Sequence, residues 1–126
     1  MLNQSLSQKL KEKYPQYALQ KQCYRNVYGL CMVPEFSLDD IKILFCYLPV
    51  GTDQLYYRHA ILKYNGEYID TVLDMPEKYE NLIIIREFSF REYMDAVVSE
   101  GSLELRICLQ LTEQQITAEH QLEIIS

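Results

Sequence analysis

Three side chains in this chain have the types and the order of a thiol hydrolase site: Cys23, His59 and Asp70. A thiolate is a far better nucleophile than a thiol. The positive end of a helix and a nearby imidazolium both favour the thiolate form. Acyl transfer then needs a group that moves a proton and a group that holds the first in the right tautomer and orientation. His59 suits the first role and Asp70 the second. Residue types alone do not select this triplet, because the chain has four cysteines (Cys23, Cys31, Cys46, Cys108) and two histidines (His59, His120). The selection has to come from the elements that carry them.

His59 and Asp70 belong to the stretch from Tyr57 to Leu73, which reads as two strands joined by Asn65-Gly66. That pair suits a tight two-residue turn. A turn of that length sets Tyr64 opposite Glu67 and His59 opposite Val72. Alternation then puts His59, Ile61, Asp70 and Val72 on one face. Asp70 becomes the diagonal neighbour of His59, roughly 7 Å away between Cα atoms, a gap a carboxylate can bridge to an imidazole. Cys23 lies in a helical pattern from Ala18 to about Met32, with Leu19, Cys23, Val27 and Leu30 or Cys31 near one face. Within that span it falls a few residues inside the helix, where the dipole helps less. A start near Gln20 or Lys21 would suit it better. Gly29 weakens the helix by nearly 1 kcal/mol relative to alanine, or else lets another element approach closely.

The other elements frame these two. Leu2, Leu6 and Leu10 predict an amphipathic helix from Leu2 to about Tyr14, ended or kinked by Pro15. Ile41 to Tyr47 is a nearly continuous apolar run, the pattern of a central strand, broken from Pro49 to Asp53. Pro76 closes the second strand of the hairpin. Asn81 to Glu87 is a strand apolar enough to need cover on both faces. Ser89 and Glu92 form a capping box that opens a short helix, and Gly101 stops it. Leu103 to Leu111 alternates as a strand with one wet face. Thr112 with Gln115 caps a last helix running to about Leu122. The reading is a single α+β domain over residues 1–126, with N-terminal helices packed on a mostly antiparallel sheet.

Composition narrows the function. The net charge of −6 argues against a general nucleic-acid binder, whose phosphate contacts need lysine and arginine. The start of the chain is polar rather than leader-like, and no apolar run approaches the length of a membrane span. With no C-x-x-C pair, reduced thiols in the cytoplasm are the expectation, and a signal-less effector would look the same. A zinc site from Cys23, Cys46, His59 and Asp70 lacks the short paired spacing of structural zinc sites. No metal, cofactor or membrane partner is expected. Arg58 and Lys63 fall on opposite faces of their strand and are read as solvated.

The segment Cys23-Tyr24-Arg25-Asn26 resembles the start of the nucleophile helix in small papain-like or transglutaminase-like proteins. Short bacterial and phage members of that group are more similar. They carry a C-Y-x-N helix start, then a strand, a His-Ala strand and an Ile-Asp strand ending. The matching features here are Cys23-Tyr24-Arg25-Asn26, Phe45-Cys46-Tyr47, His59-Ala60 and Gly66-Glu67-Tyr68-Ile69-Asp70-Thr71, within residues 16–73. The resemblance implies a papain-like fold in miniature and a cysteine peptidase or amidase acting on an amide or thioester. It makes Cys23 the nucleophile, His59 the general base and acid, Asp70 the orienting carboxylate and Asn26 a brace. Papain-like proteins also carry a glutamine six residues before the cysteine, where Tyr17 stands here. Gln16 beside it is the supporting candidate; neither it nor Gln20 or Gln22 has that spacing. The Gly-x-Cys-Trp setting is absent.

Two readings compete with a hydrolase that acts on a peptide or other amide. One is a non-enzymatic binding or inhibitor protein, phage-related, on an inactive version of the fold. Its 11 tyrosines suit a protein partner, since tyrosine is frequent at binding hot spots. The other is an assembly component whose exposed strand pairs with another subunit.

Overall fold

The structure, a computed structural model, describes residues 1–50, 55–72, 76–105 and 121–124. Helix α1 (Gln4–Lys13) is followed by a 3-10 turn (Pro15–Tyr17), helix α2 (Cys23–Leu30), strands β1 (Lys42–Val50), β2 (Leu55–Tyr64) and β3 (Glu67–Ile69), a 3-10 segment (Pro76–Asn81), β4 (Ile83–Ser89), α3 (Phe90–Glu100) and β5 (Gln121–Ile124). The sheet order is β3-β2-β1-β4, antiparallel throughout, and β5 adds to β2 in parallel. This is a small α+β fold with N-terminal helices on an antiparallel sheet.

Local chemistry accounts for most of these boundaries. Asn3 caps α1 by accepting from the Leu6 N–H at 3.0 Å, and Pro15, barred from continuing the helix, opens the 3-10 turn. Asn65 and Gly66 both have positive φ, 52° and 79°, the signature of a type I′ hairpin turn. They set Tyr64 opposite Glu67, as the turn length predicts. Ser89 and Glu92 exchange both bonds of a capping box, and Gly101 ends α3 in the left-handed region.

The core has two sides because β1 is central. Ile43, Phe45 and Tyr47 face α2 and α3, while Leu44, Cys46 and Leu48 face the opposite layer with Ile61, Leu2 and Tyr79. All six of those β1 side chains are fully buried, as the unbroken apolar run requires. On the helical side Phe45 meets Tyr24, Phe88 and Tyr93 edge-on, with centroids 5.3, 5.4 and 6.2 Å away. Such pairs are worth about 0.5–1.5 kcal/mol each beyond the area they bury.

Several expectations are corrected. Helix α2 starts at Cys23 rather than Ala18 and stops at Leu30. Strand β1 runs through Pro49 to Val50, where Pro49 pairs with Tyr56. β3 is only three residues long, so the β2–β3 ladder ends at Leu62 and Ile69 and His59 has no partner at Val72 on that side; on the other side it pairs with Cys46 of β1. β4 is displaced by two residues to Ile83–Ser89 and lies at the sheet edge. Its Ile84 is 43% exposed, so cover on both faces is not realised. Leu103 to Leu105 are not in a strand. The rest of the strand expected to Leu111, the helix expected from Thr112, Cys108 and His120 lie outside the described residues. Leu122, expected at the end of that helix, is in β5, held by pairing with Tyr56.

Candidate functional site

The site forms where the edge of β2 changes partners. β3 covers Leu62 to Tyr64 on that edge and β5 covers Leu55 to Arg58, so residues 59–61 fall between them. There the chain leaves β3, and Asp70 folds back onto His59. The His59 Nε2–H donates to Asp70 Oδ2 at 2.7 Å, and both residues are buried. Asp70 also accepts from other parts of the chain. The Tyr79 hydroxyl donates to the same Oδ2 at 2.5 Å, and the Val72 N–H donates to Oδ1 at 2.9 Å. A buried carboxylate is tolerated only when its lone pairs are used in this way.

Cys23 approaches from the helical layer as the first residue of α2. Its thiol acts electrostatically on the His59 ring, helping to raise the ring's pKa. The helix begins there because the preceding loop is tied down. Asn26 Nδ2 donates to the Leu19 carbonyl at 2.8 Å, and its Oδ1 accepts from the Leu19 N–H at 3.2 Å. Just before the start, Lys21 takes a positive φ of 59°, which stops helical geometry from extending backwards. Asn26 is thus a brace, and it holds the loop before the helix rather than the sheet. A small cavity of about 10 Å³, lined by Cys23, Asn26, Val27, Leu30, Ala60, Ile69, Asp70, Thr71 and Val72, lies between α2 and the bend after β3. Cys23 is 2% exposed, His59 3% and Asp70 6%.

The electrostatics follow from burial and pairing. Burial alone pulls the His59 pKa down. The charge of Asp70, their hydrogen bond and the electrostatic influence of Cys23 outweigh it and push the value up to about 10. For Asp70, burial pulls upward, but the His59 charge and the bonds from His59, Tyr79 and Val72 hold the carboxyl below its usual range. Burial pushes the Cys46 thiol well up, with Asp70 and Cys23 adding to it, and burial pushes Cys31 up to about 12. Both therefore stay thiols near neutrality. Among the described residues no group of three or more His, Cys, Asp or Glu side chains is arranged to hold a metal ion.

The N-terminal segment straps this bend. Ser7 Oγ of α1 accepts from the Asp70 N–H at 3.1 Å, and the Thr71 hydroxyl donates to the Tyr17 carbonyl at 2.6 Å. Tyr17 in turn lies against Gly29, where an added Cβ would fall 2.2 Å from the ring. Gly29 is therefore there for close approach. Gly29→Ala is expected to push Tyr17 aside and to cost about 1–2 kcal/mol by overpacking, measured by urea denaturation. A variant as stable as the parent would show that the ring swings away freely.

Gln16 is exposed on the 3-10 turn. Arg58 is buried rather than solvated and pairs with Glu104 at 3.7 Å. Tyr79, a site member that sequence reasoning missed, sits nine residues after Asp70 with no motif to mark it. Among the described residues no helix is long and apolar enough to cross a membrane. No protein-family model, no curated protein and no solved structure matches the chain.

Proposed function

We propose that this protein is a small cysteine hydrolase, a peptidase or amidase, on a papain-like fold in miniature. One observation supports the reading: a buried imidazole is hydrogen-bonded to a carboxylate, and a thiol at the first residue of a helix acts electrostatically on the same ring. With Nε2 committed to Asp70, Nδ1 is the nitrogen left to serve Cys23. The Cys23 Sγ attacks the carbonyl carbon of an amide or thioester. The bond to the leaving nitrogen or sulfur breaks as His59 gives that atom a proton. Water then attacks the acyl enzyme, His59 takes the proton, and the carboxylic acid leaves as the thiol is restored. The Cys23 N–H, at the helix start where no intrahelical acceptor exists, is the candidate oxyanion donor.

Iodoacetamide at about pH 6, with peptide mapping, tests this reading. Cys23 is expected to be alkylated at least tenfold faster than Cys31 or Cys46, because only an activated thiol reacts well in mild acid. Equal rates at the three cysteines would remove the hydrolase.

A second reading is supported by the near-complete burial of Cys23, His59 and Asp70. The triplet then serves as a polar core cluster in a non-enzymatic binding or inhibitor protein. In that case Cys23→Ser keeps partner binding, whereas a folded Cys23→Ser protein without any function speaks for the enzyme.

A further inference from the structure

Asp70 carries more than its partnership with His59 requires. Its Oδ2 receives both the His59 ring at 2.7 Å and the Tyr79 hydroxyl at 2.5 Å. Its Oδ1 receives the Val72 N–H at 2.9 Å. These donors come from three separate parts of the fold: β2, the bend after β3 and the 3-10 segment Pro76–Asn81. Tyr79 is 2% exposed and its ring is packed among Leu2, Leu44 and Ile61, with Tyr68 6.4 Å away. That packing aims the hydroxyl.

We infer that Tyr79 is a positioning residue for His59, acting through Asp70. By donating to the oxygen that the His59 ring also uses, it fixes the carboxylate in place and limits how tightly that oxygen holds the imidazolium. The inference rests on the proposed hydrolase only for its consequence at Cys23. The physical reason is competition for one acceptor. A carboxylate oxygen that already takes a short O–H bond has less electron density to offer a second donor, and the protonated ring is held less strongly. Among the described residues, the other titratable groups acting near the pair are Cys23 of α2 and Cys46 of β1, and Lys11 of α1 lines a small cavity with Asp70, Thr71 and Val72.

The test is the titration of the His59 ring, followed by NMR in the full chain labelled at histidine nitrogen. In Tyr79→Phe the midpoint is expected to move upward by about half a unit or more, because Oδ2 no longer shares its charge with the Tyr79 donor. In Asp70→Asn it is expected to fall below the midpoint of an unperturbed histidine. If the phenol only fills space, Tyr79→Phe changes stability and leaves the midpoint where it was; that result, or a downward move, overturns the inference. Should Tyr79→Phe fail to fold, the parent protein still decides. Its Tyr79 hydroxyl proton is expected to be slowly exchanging, shifted downfield and close to the His59 Nε2–H. A rapidly exchanging hydroxyl without that contact overturns the inference as well. The ring titration does not depend on Cys23 reactivity. An inert Cys23 with a shifted His59 removes the hydrolase and leaves Tyr79 in its role, and a reactive Cys23 with an unshifted His59 does the reverse.

Discussion

Asp70→Asn is expected to cost about 3–5 kcal/mol at neutral pH, the usual penalty for removing one partner of a buried ion pair. The substitution keeps the shape of the side chain but leaves the His59 ring in a dry site without its counter-charge. It also weakens the acceptor for the Tyr79 hydroxyl and the Val72 N–H. The pH dependence gives the loss a signature. The folded pKa of His59 is raised, from 6.5 to about 10, so its stabilising contribution is complete below the unfolded value and is lost as pH climbs through about 10. The folded pKa of Asp70 is lowered from 3.8, so its contribution is present above that value and is lost as acid protonates the native carboxyl. The stability gap between parent and variant is therefore widest between about pH 4 and 6.5, and it narrows on either side. Urea denaturation at several pH values measures it. A gap that stays constant from pH 5 to 10 would show that His59 is not held as an imidazolium.

Phe45→Ala is expected to cost about 3–5 kcal/mol, the range for deleting a fully buried phenylalanine. The ring has no exposure and meets Tyr24, Phe88 and Tyr93 edge-on. The consequence extends to the site, because Tyr24 follows Cys23 in the first turn of α2. A cavity under Tyr24 loosens that turn and with it the placement of the Cys23 thiol at the helix start. Phe45→Leu fills most of the volume and is expected to lose far less. Thermal denaturation gives the stability, and the Cys23 alkylation rate gives the reach to the site. If Phe45→Ala lowers stability but leaves the Cys23 rate unchanged, α2 is held by other contacts.

His59 and Asp70 show how partial the sequence signal was. Alternation about the Asn65-Gly66 turn placed them on one face, and they are hydrogen-bonded. The route differs: β3 stops at Ile69, and Asp70 reaches His59 from a bend held by Ser7 and Tyr17. Those two residues lie more than fifty positions upstream, so no local pattern could announce them. The start of α2 was hidden for a related reason. The apolar spacing runs on through Leu19, Gln22 offers no side-chain cap, and the break comes from Lys21 at positive φ and the Asn26 brace.

By itself the sequence determined what depends on a few adjacent residues: the hairpin turn at Asn65-Gly66, the capping box of Ser89 and Glu92, the stop at Gly101 and the buried central strand around Phe45. Each is settled by backbone sterics, a short hydrogen bond or a run of apolar side chains within one element. Tertiary structure alone decided the strapping of the Asp70 bend by Ser7 and Tyr17, the recruitment of Tyr79 to Asp70, the burial of Arg58 and the parallel pairing of β5 with β2. These join residues far apart in the chain, and their free energy appears only once the layers have packed and water has been excluded from between them.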